Sequence, residues 1–508
     1  MCIKRDNQGA WHVLAETKNG RGLEYWLKRW VTTTHHTDIG IMYIVSGFVF
    51  FVMAGILAVL MRIEVSFPGQ QLVDASGYNA MFTVHGTTMI FLWVIPVLVG
   101  LANYLLPILS GAPDMAFPRL NAFSYWTFLP AGVLIWVGAP AVGWTAYVPL
   151  AVLEAGIGMD LWLMGMILVG VSSIAGGVNF LATIIMLRAP GIEFRNMSLF
   201  LWAVLATSAM ILLATPVLAA AFILLLLDRN LGTSFFTYTE SGAGDPLLWQ
   251  HLFWFYSHPA VYIMILPVMG AVSVIIPAMA RRPIFGYKAI VISTVAIAAV
   301  GFGVWAHHMY TASMDLRLKT FFMVATLIIA VPTGIKVFSW IATLWNGRIQ
   351  FKTPMMFCLG FLVLFVIGGI TGVFNGSFAL DLQVQDTYWM VAHLHYVLFG
   401  GTVMGVFAAL YFFFPTMSGR MYNEKLGHIH FWFTFVGMNL TYFPLHYVGL
   451  LGMPRRVYEL SGYPEIFTTV TQWSMIGSFI LSIGMLFFFY NILHNMKHGE
   501  VAPENPWE

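Results

Sequence analysis

The chain has 508 residues, of which 59% are hydrophobic and 9% charged, with a formal net charge of +2 at pH 7. Soluble domains carry roughly 25% charged residues, so the composition excludes a water-soluble globular fold and describes a polytopic, all-α membrane protein. The near-zero charge balance gives no sign of a nucleic-acid partner. The two cysteines, Cys2 and Cys358, are too few for a disulfide framework or an iron–sulfur cluster. No Cys-x-x-Cys-His occurs, so no haem is attached covalently to this chain.

The first 38 residues are polar, mixed in charge and without the apolar core of a signal peptide, and read as a tail. Apolar runs follow at about 39–61, 80–109, 122–144, 160–187, 198–227 and 248–279. Six more lie at about 284–310, 318–346, 354–377, 388–415, 428–451 and 468–495. Each is long enough to cross the hydrocarbon as a helix, which takes about 20 residues. The expectation is one twelve-helix membrane domain over 39–495, with tails at 1–38 and 496–508. An even number of spans puts both termini on one side. Seventeen lysines and arginines fall on that side, against six on the other, so the positive-inside rule makes both termini cytoplasmic. The opposite side holds acidic loops around Glu154–Asp160 and Glu240–Asp245.

Within these runs lie polar residues that lipid makes costly, and such residues are functional candidates. In Trp254-Phe-Tyr-Ser-His-Pro-Ala-Val-Tyr262, His258 and Tyr262 are four apart and share a helix face. His307 and His308 are adjacent and converge on one ion only where the helix is locally distorted. With His258 they make a three-imidazole set suited to copper, zinc or iron. His393 and His395 are about 200° apart around a helix, so one helix can serve two cofactors. His85, in an earlier run, is left to partner one of them as a bis-histidine haem pair. A lone membrane histidine is an ordinary packing residue; six with usable geometry are not.

These stretches carry a family resemblance. Together with Gly111-Ala-Pro-Asp-Met-Ala-Phe-Pro-Arg119, Gly143-Trp-Thr145, Pro332-Thr-Gly-Ile-Lys-Val-Phe-Ser-Trp340, Asp386-Thr-Tyr388, His393-Leu-His-Tyr-Val397 and Gly452-Met-Pro-Arg-Arg456, they resemble subunit I of the haem–copper terminal oxidases over residues 30–508. The resemblance implies that His85 and His395 hold a low-spin haem and His393 a high-spin haem, both of haem a type. It implies one copper on His258, His307 and His308, with Tyr262 cross-linked to His258. Arg455 and Arg456 match the pair that binds haem propionates by charge-assisted hydrogen bonds, and Arg62 matches an arginine at the low-spin haem edge.

Two proton routes are implied as well. Lys336, inside a span, matches the lysine of one, with Thr333 on the same face and Ser273 below Tyr262. Asp114, Asn103, Asn121, Ser172, Ser173 and Asn179 match the other. Many relatives end that second route on a glutamate where this chain has Ala260. The hydroxyls of Tyr256 and Ser257 resemble a branch in which that pair replaces the carboxylate. Gln385 stands where a histidine often helps bind magnesium, which leaves that metal open.

The implied partners are a subunit II with a dinuclear copper centre, subunit III and small subunits, cytochrome c, dioxygen and membrane lipids. The implied location is a bacterial inner membrane, and the implied activity is proton-pumping reduction of dioxygen to water. Gly77 and Ala80 occupy the stretch where a quinol site would place histidine and glutamine. That favours cytochrome c over quinol as the electron donor. A nitric oxide reductase of the same scaffold is the near alternative, although it lacks the Tyr262-type tyrosine and the Lys336 route. A channel leaves the histidines without a task, and a bis-histidine electron carrier leaves His258, His307 and His308 unexplained.

Overall fold

The computed structural model describes residues 3–5, 11–13, 23–239 and 242–507. Cys2, Lys18, Arg21 and Glu240 lie outside the described residues. Twelve long helices dominate. They are α1 (His36–Glu64), α2 (Ala75–Ser110), α3 (Pro118–Gly138), α4 (Gly158–Met186), α5 (Leu199–Asn230) and α6 (Pro246–Ala280), then α7 (Tyr287–Val300), α8 (Leu316–Leu344), α9 (Thr353–Gly376), α10 (Tyr388–Ser418), α11 (Glu424–Leu450) and α12 (Glu465–His498). Among the described residues, ten helices are long and apolar enough to cross a membrane. The two outside that set are α7, which is only 14 residues long, and α11, which carries Lys425, His428, His430, Asn439 and His446. The protein is a multi-pass membrane protein.

Helix starts follow local chemistry. Asp74, Ser198, Asp245, Asp315, Thr387 and Asn423 each accept a first-turn backbone N–H with the side chain, satisfying donors a helix leaves orphaned. Three boundaries depart from the hydropathy pattern. The third helix stops at Gly138 rather than near 144, because Ala139 turns left-handed and Pro140 cannot continue the ladder. The seventh apolar run, 284–310, is helical only from Tyr287 to Val300 and then tightens into two 3₁₀ turns, Gly301–Gly303 and Trp305–Met309. Within the amino-terminal tail, Leu23–Thr32 folds as a short helix with Leu27 and Val31 exposed.

The bundle is layered by enclosure. In α2, α6 and α10 the most apolar window is 89%, 83% and 83% buried by neighbouring helices, against 17% in α8 and 28% in α1 and α12. Outer helices turn Val45, Val133, Leu213, Phe338, Ile370 and Leu486 outward, the apolar surface lipid requires. Close approach relies on small residues. A Cβ on Gly40 of α1 would lie 2.7 Å from the Gly100 carbonyl of α2, so both backbones meet where side chains cannot fit. Two enclosed helices, α2 and α10, each widen into a π-segment, Thr88–Val94 and Leu398–Val403, just beyond their histidines. Such widenings often mark functional sites.

Candidate metal centre and proton routes

The enclosed helices α2, α6 and α10 carry His85, His258, His393 and His395, while the 3₁₀ turn after α7 carries His307 and His308. That turn is the local departure from regular α-helix, and both imidazoles there reach one space with His258. One ligand nitrogen from each of His258, His307 and His308 lies within 4.8 Å of the others. His258 Nδ1 and His308 Nε2 are 3.2 Å apart. Two imidazole nitrogens on one ion, each at about 2.0–2.1 Å, are separated by a similar distance.

The remaining ring nitrogens are controlled by a simple device. Thr326 donates its proton to the Phe322 carbonyl, which leaves its oxygen to accept from His307 Nδ1 at 2.9 Å. Thr371 donates to the Gly368 carbonyl and so accepts from His393 Nδ1, also at 2.9 Å. His85 Nδ1 donates to the Ala54 carbonyl at 2.9 Å and His395 Nδ1 to the Val391 carbonyl at 2.7 Å. In all four rings the proton is held on Nδ1, so Nε2 presents a lone pair. This is the orientation metal-ligating histidines receive from their surroundings. A Cβ on Gly372 would stand 3.1 Å from His393 Cε1, so the glycine lets the ring pack closely on α9.

Trp254 stacks on His308 at 3.9 Å between ring centroids and is itself held by Tyr147, whose hydroxyl accepts from its indole N–H at 2.7 Å. Tyr442 stacks on His395 at 4.0 Å. Tyr262 lies edge-on to His258, centroids 4.7 Å apart, and His258 Nε2 is buried without a hydrogen-bond partner. His393 is within electrostatic reach of His307 and His308, and His85 of His395. His258, His307 and His308 therefore form one three-nitrogen cluster, with His393 nearby. Thr326, Thr371, Trp254 and Tyr442 had no sequence signal as supports, because each acts on a ring far along the chain.

Gln385 faces the buried Asp381; with its amide oriented to give both groups a partner it donates to the two carboxylate oxygens at 3.2 and 3.3 Å. Burial, and then the charge of Asp386, pushes the Asp381 carboxyl up to about 7. Asp386 accepts from Arg455 Nε at 2.9 Å. Gln385 and Asp386 each have a partner within the chain. Arg456 lies over the Phe82 ring at 5.2 Å, and among the described residues makes no ion pair. Burial and the adjacent Arg455 charge push its guanidinium down to about 10. Two adjacent cations, one of them half-buried, make a seat for an anion, such as a carboxylate of a bound group. Arg62 lies over Tyr388 and donates to Ser474 at 3.4 Å.

Residues 38–480 match the family described as cytochrome c and quinol oxidase polypeptide I. The chain belongs to that family. It is 49% identical to the cytochrome c oxidase subunit 1 of Synechocystis sp. over 95% of this chain and 87% of the relative. It is 47% identical to the subunit 1 of Thermostichus vulcanus, again over 95% and 87%. A solved heme-copper terminal oxidase dimer contains a chain of the same fold, with a TM-score of 0.78 at 19% identity, covering 93% of this chain and 86% of the other. The protein is the catalytic subunit I of a terminal oxidase, and haem and copper are the cofactors of its family. As a subunit I it assembles with other subunits, such as a subunit II.

In this oxidase subunit the residues matched to proton routes are placed as follows. Lys336, 1% exposed, donates to Thr294 Oγ1 of α7 at 2.6 Å. Thr333 donates to the Ile329 carbonyl. Ser273 does not meet the lysine; it donates to the Met269 carbonyl and accepts from the Trp340 indole at 2.9 Å. On the other side, Asn179 clamps Phe117 through both backbone groups, at 2.8 and 3.1 Å, fixing the loop that carries Asp114. Asn103 donates to the Val99 carbonyl and leaves its oxygen unpartnered, while both polar atoms of Asn121 are buried and unpartnered. Ser172 and Ser173 line a cavity of ≈ 20 Å³ with Tyr43 and Phe91, enough for one water. Phe91 stacks against Tyr256 at 6.2 Å, so the cavity wall touches the tyrosine at the route's expected end. Ser257 Oγ is buried without a partner.

Proposed function

We propose that this subunit reduces dioxygen to water with electrons from cytochrome c and couples the reaction to proton pumping. The observation that carries the reading is the convergence of His258, His307 and His308 beside Tyr262. His258, His307 and His308 would hold copper, His393 the high-spin haem facing it, and His85 with His395 the low-spin haem, both of haem a type. Two metals and an oxidisable phenol supply the four electrons that dioxygen needs to reach water without release of peroxide.

The chain's own residues do the rest. Thr326 and Thr371 orient His307 and His393. The unpartnered Nε2 of His258 is the atom that would bond to the Tyr262 ring, fixing the phenol against the cluster. Arg456, half-buried beside Arg455, would receive a haem propionate. Lys336 would bring protons toward Tyr262. The polar groups from Asp114 through Asn121, Asn103, Ser172 and Ser173 to Tyr256 and Ser257 would carry the pumped ones, the two hydroxyls serving where Ala260 cannot. α7 with its 3₁₀ extension and α11 would complete twelve spans, both termini cytoplasmic, in a bacterial inner membrane. Electrons would enter from a subunit II with a dinuclear copper centre, alongside subunit III and small subunits. The start of α2, capped by Asp74 with Gly77 packed on the cap, offers no imidazole for a quinol.

Metal analysis of the purified subunit tests the reading. Two irons and one copper per chain are expected. Three irons without copper would move the protein to the nitric oxide reductases, and no stoichiometric metal would remove the oxidase chemistry altogether.

A further inference from the structure

We propose that Thr294 is the positioning residue that seats Lys336 between proton deliveries, and that the lysine acts from α7 rather than from Ser273. The inference rests on the reading of Lys336 as a proton carrier and adds to it the partner from which the carrier departs.

The hydrogen bonding is specific. Thr294 gives its own proton to the Ile290 carbonyl at 2.8 Å, one turn back in α7. Its oxygen is therefore an acceptor toward Lys336 Nζ, which lies 2.6 Å away. Ser273 is already engaged on both sides, donating to the Met269 carbonyl and accepting from the Trp340 indole, and among the described residues it makes no hydrogen bond to the lysine. A lysine amine at this depth is costly without an acceptor, and among the described residues Thr294 is the hydrogen-bond partner Lys336 has.

The position of Thr294 on α7 gives the seat its meaning. Gly301 lies seven residues on, hence on the same face and roughly 10 Å along the axis. There a Cβ would fall 2.9 Å from Tyr262 Cδ2, so the 3₁₀ turn that continues α7 touches the tyrosine at that point. Ile290 and Ile297, both 1% exposed, line the same inward face. Lys336 thus rests two turns short of Tyr262, on the helix that leads to it. Ser293, beside Thr294, is buried with an unpartnered hydroxyl, and it extends the polar stretch of an otherwise apolar helix.

The test uses the purified holo-complex carrying Thr294→Val, Thr294→Ala, Thr294→Ser or Lys336→Met, each checked for intact haem absorption. Anaerobic reduction of the high-spin haem is followed by stopped flow, and reoxidation by dioxygen is followed separately. Thr294→Val and Thr294→Ala should slow the reduction at least about fivefold and leave reoxidation unchanged. Thr294→Ser should stay within about twofold of the parent, because it restores the acceptor, and Lys336→Met should block reduction. A cryo-EM map of Thr294→Val should show the lysine side chain withdrawn from α7. Parent-like reduction in Thr294→Val and Thr294→Ala beside a blocked Lys336→Met would overturn the seat and leave the lysine route standing. Parent-like reduction in Lys336→Met would overturn both.

Discussion

Four of the six histidine rings have Nδ1 fixed by a neighbour, whereas along the stretch from Asp114 to Ser257 several amide and hydroxyl atoms have no partner. His85, His307, His393 and His395 each have Nδ1 tied to a carbonyl or to a threonine whose proton is already spent. Asn121, Asn103 and Ser257 lie buried with open hydrogen-bonding positions. Buried unpartnered groups are costly, and a bound water at each of these positions would satisfy them. A centre that binds metal needs ligands that do not reorient, while a path that moves protons needs groups that do.

The largest effect that would sharpen this contrast lies in the loose region. Tyr256→Phe combined with Ser257→Gly removes two hydroxyls and no ring nitrogen. Reconstituted vesicles should retain haem absorption and dioxygen consumption but eject no protons; an unchanged proton-to-electron ratio would break the assignment.

In the tight region the expected loss is smaller but of another kind. Thr371→Val frees the His393 ring, and an outer partner of a metal-ligating histidine is worth about 10–100-fold in affinity. Haem should dissociate faster in detergent by that factor, and Thr371→Ser should recover it. Equal haem retention in both variants would mean that packing against Gly372 alone orients the ring.

The smallest effect concerns Asp381, which belongs to neither region. Its folded-state carboxyl titrates near 7 instead of 3.8, so the folded protein holds the proton longer than the unfolded chain. Burial of this group costs nothing below pH 3.8, and the cost grows until the pH passes about 7. Asp381→Asn should therefore raise Tm at pH 8, with the gain shrinking by pH 5. A gain independent of pH would point to packing rather than ionisation.

Much of this was legible in the residue pattern. The apolar runs located most helices, since lipid demands continuous stretches that need no partner to be recognised. The spacing of His258 and Tyr262, and of His393 and His395, followed from helix periodicity alone. The third and seventh runs were overestimated, because a hydropathy pattern does not register a left-handed Ala139 before Pro140 or a 3₁₀ tightening after Val300. Lys336 was recognisable as a buried charge, but its neighbour was not: Thr294 stands 42 residues away on another helix, and a threonine in an apolar run has no distinguishing mark.

By itself, the sequence determined that the chain lives in lipid, which helices carry the imidazoles, and which family it joins. These depend on composition, period and local motif, all short-range properties of the chain. Only the tertiary structure decided which ring nitrogens are free, that Gln385 and Asp386 are spent on Asp381 and Arg455, and that Lys336 rests on α7. Those are matters of distance between segments far apart in the chain, and hydrogen bonds are made or lost within a few tenths of an ångström.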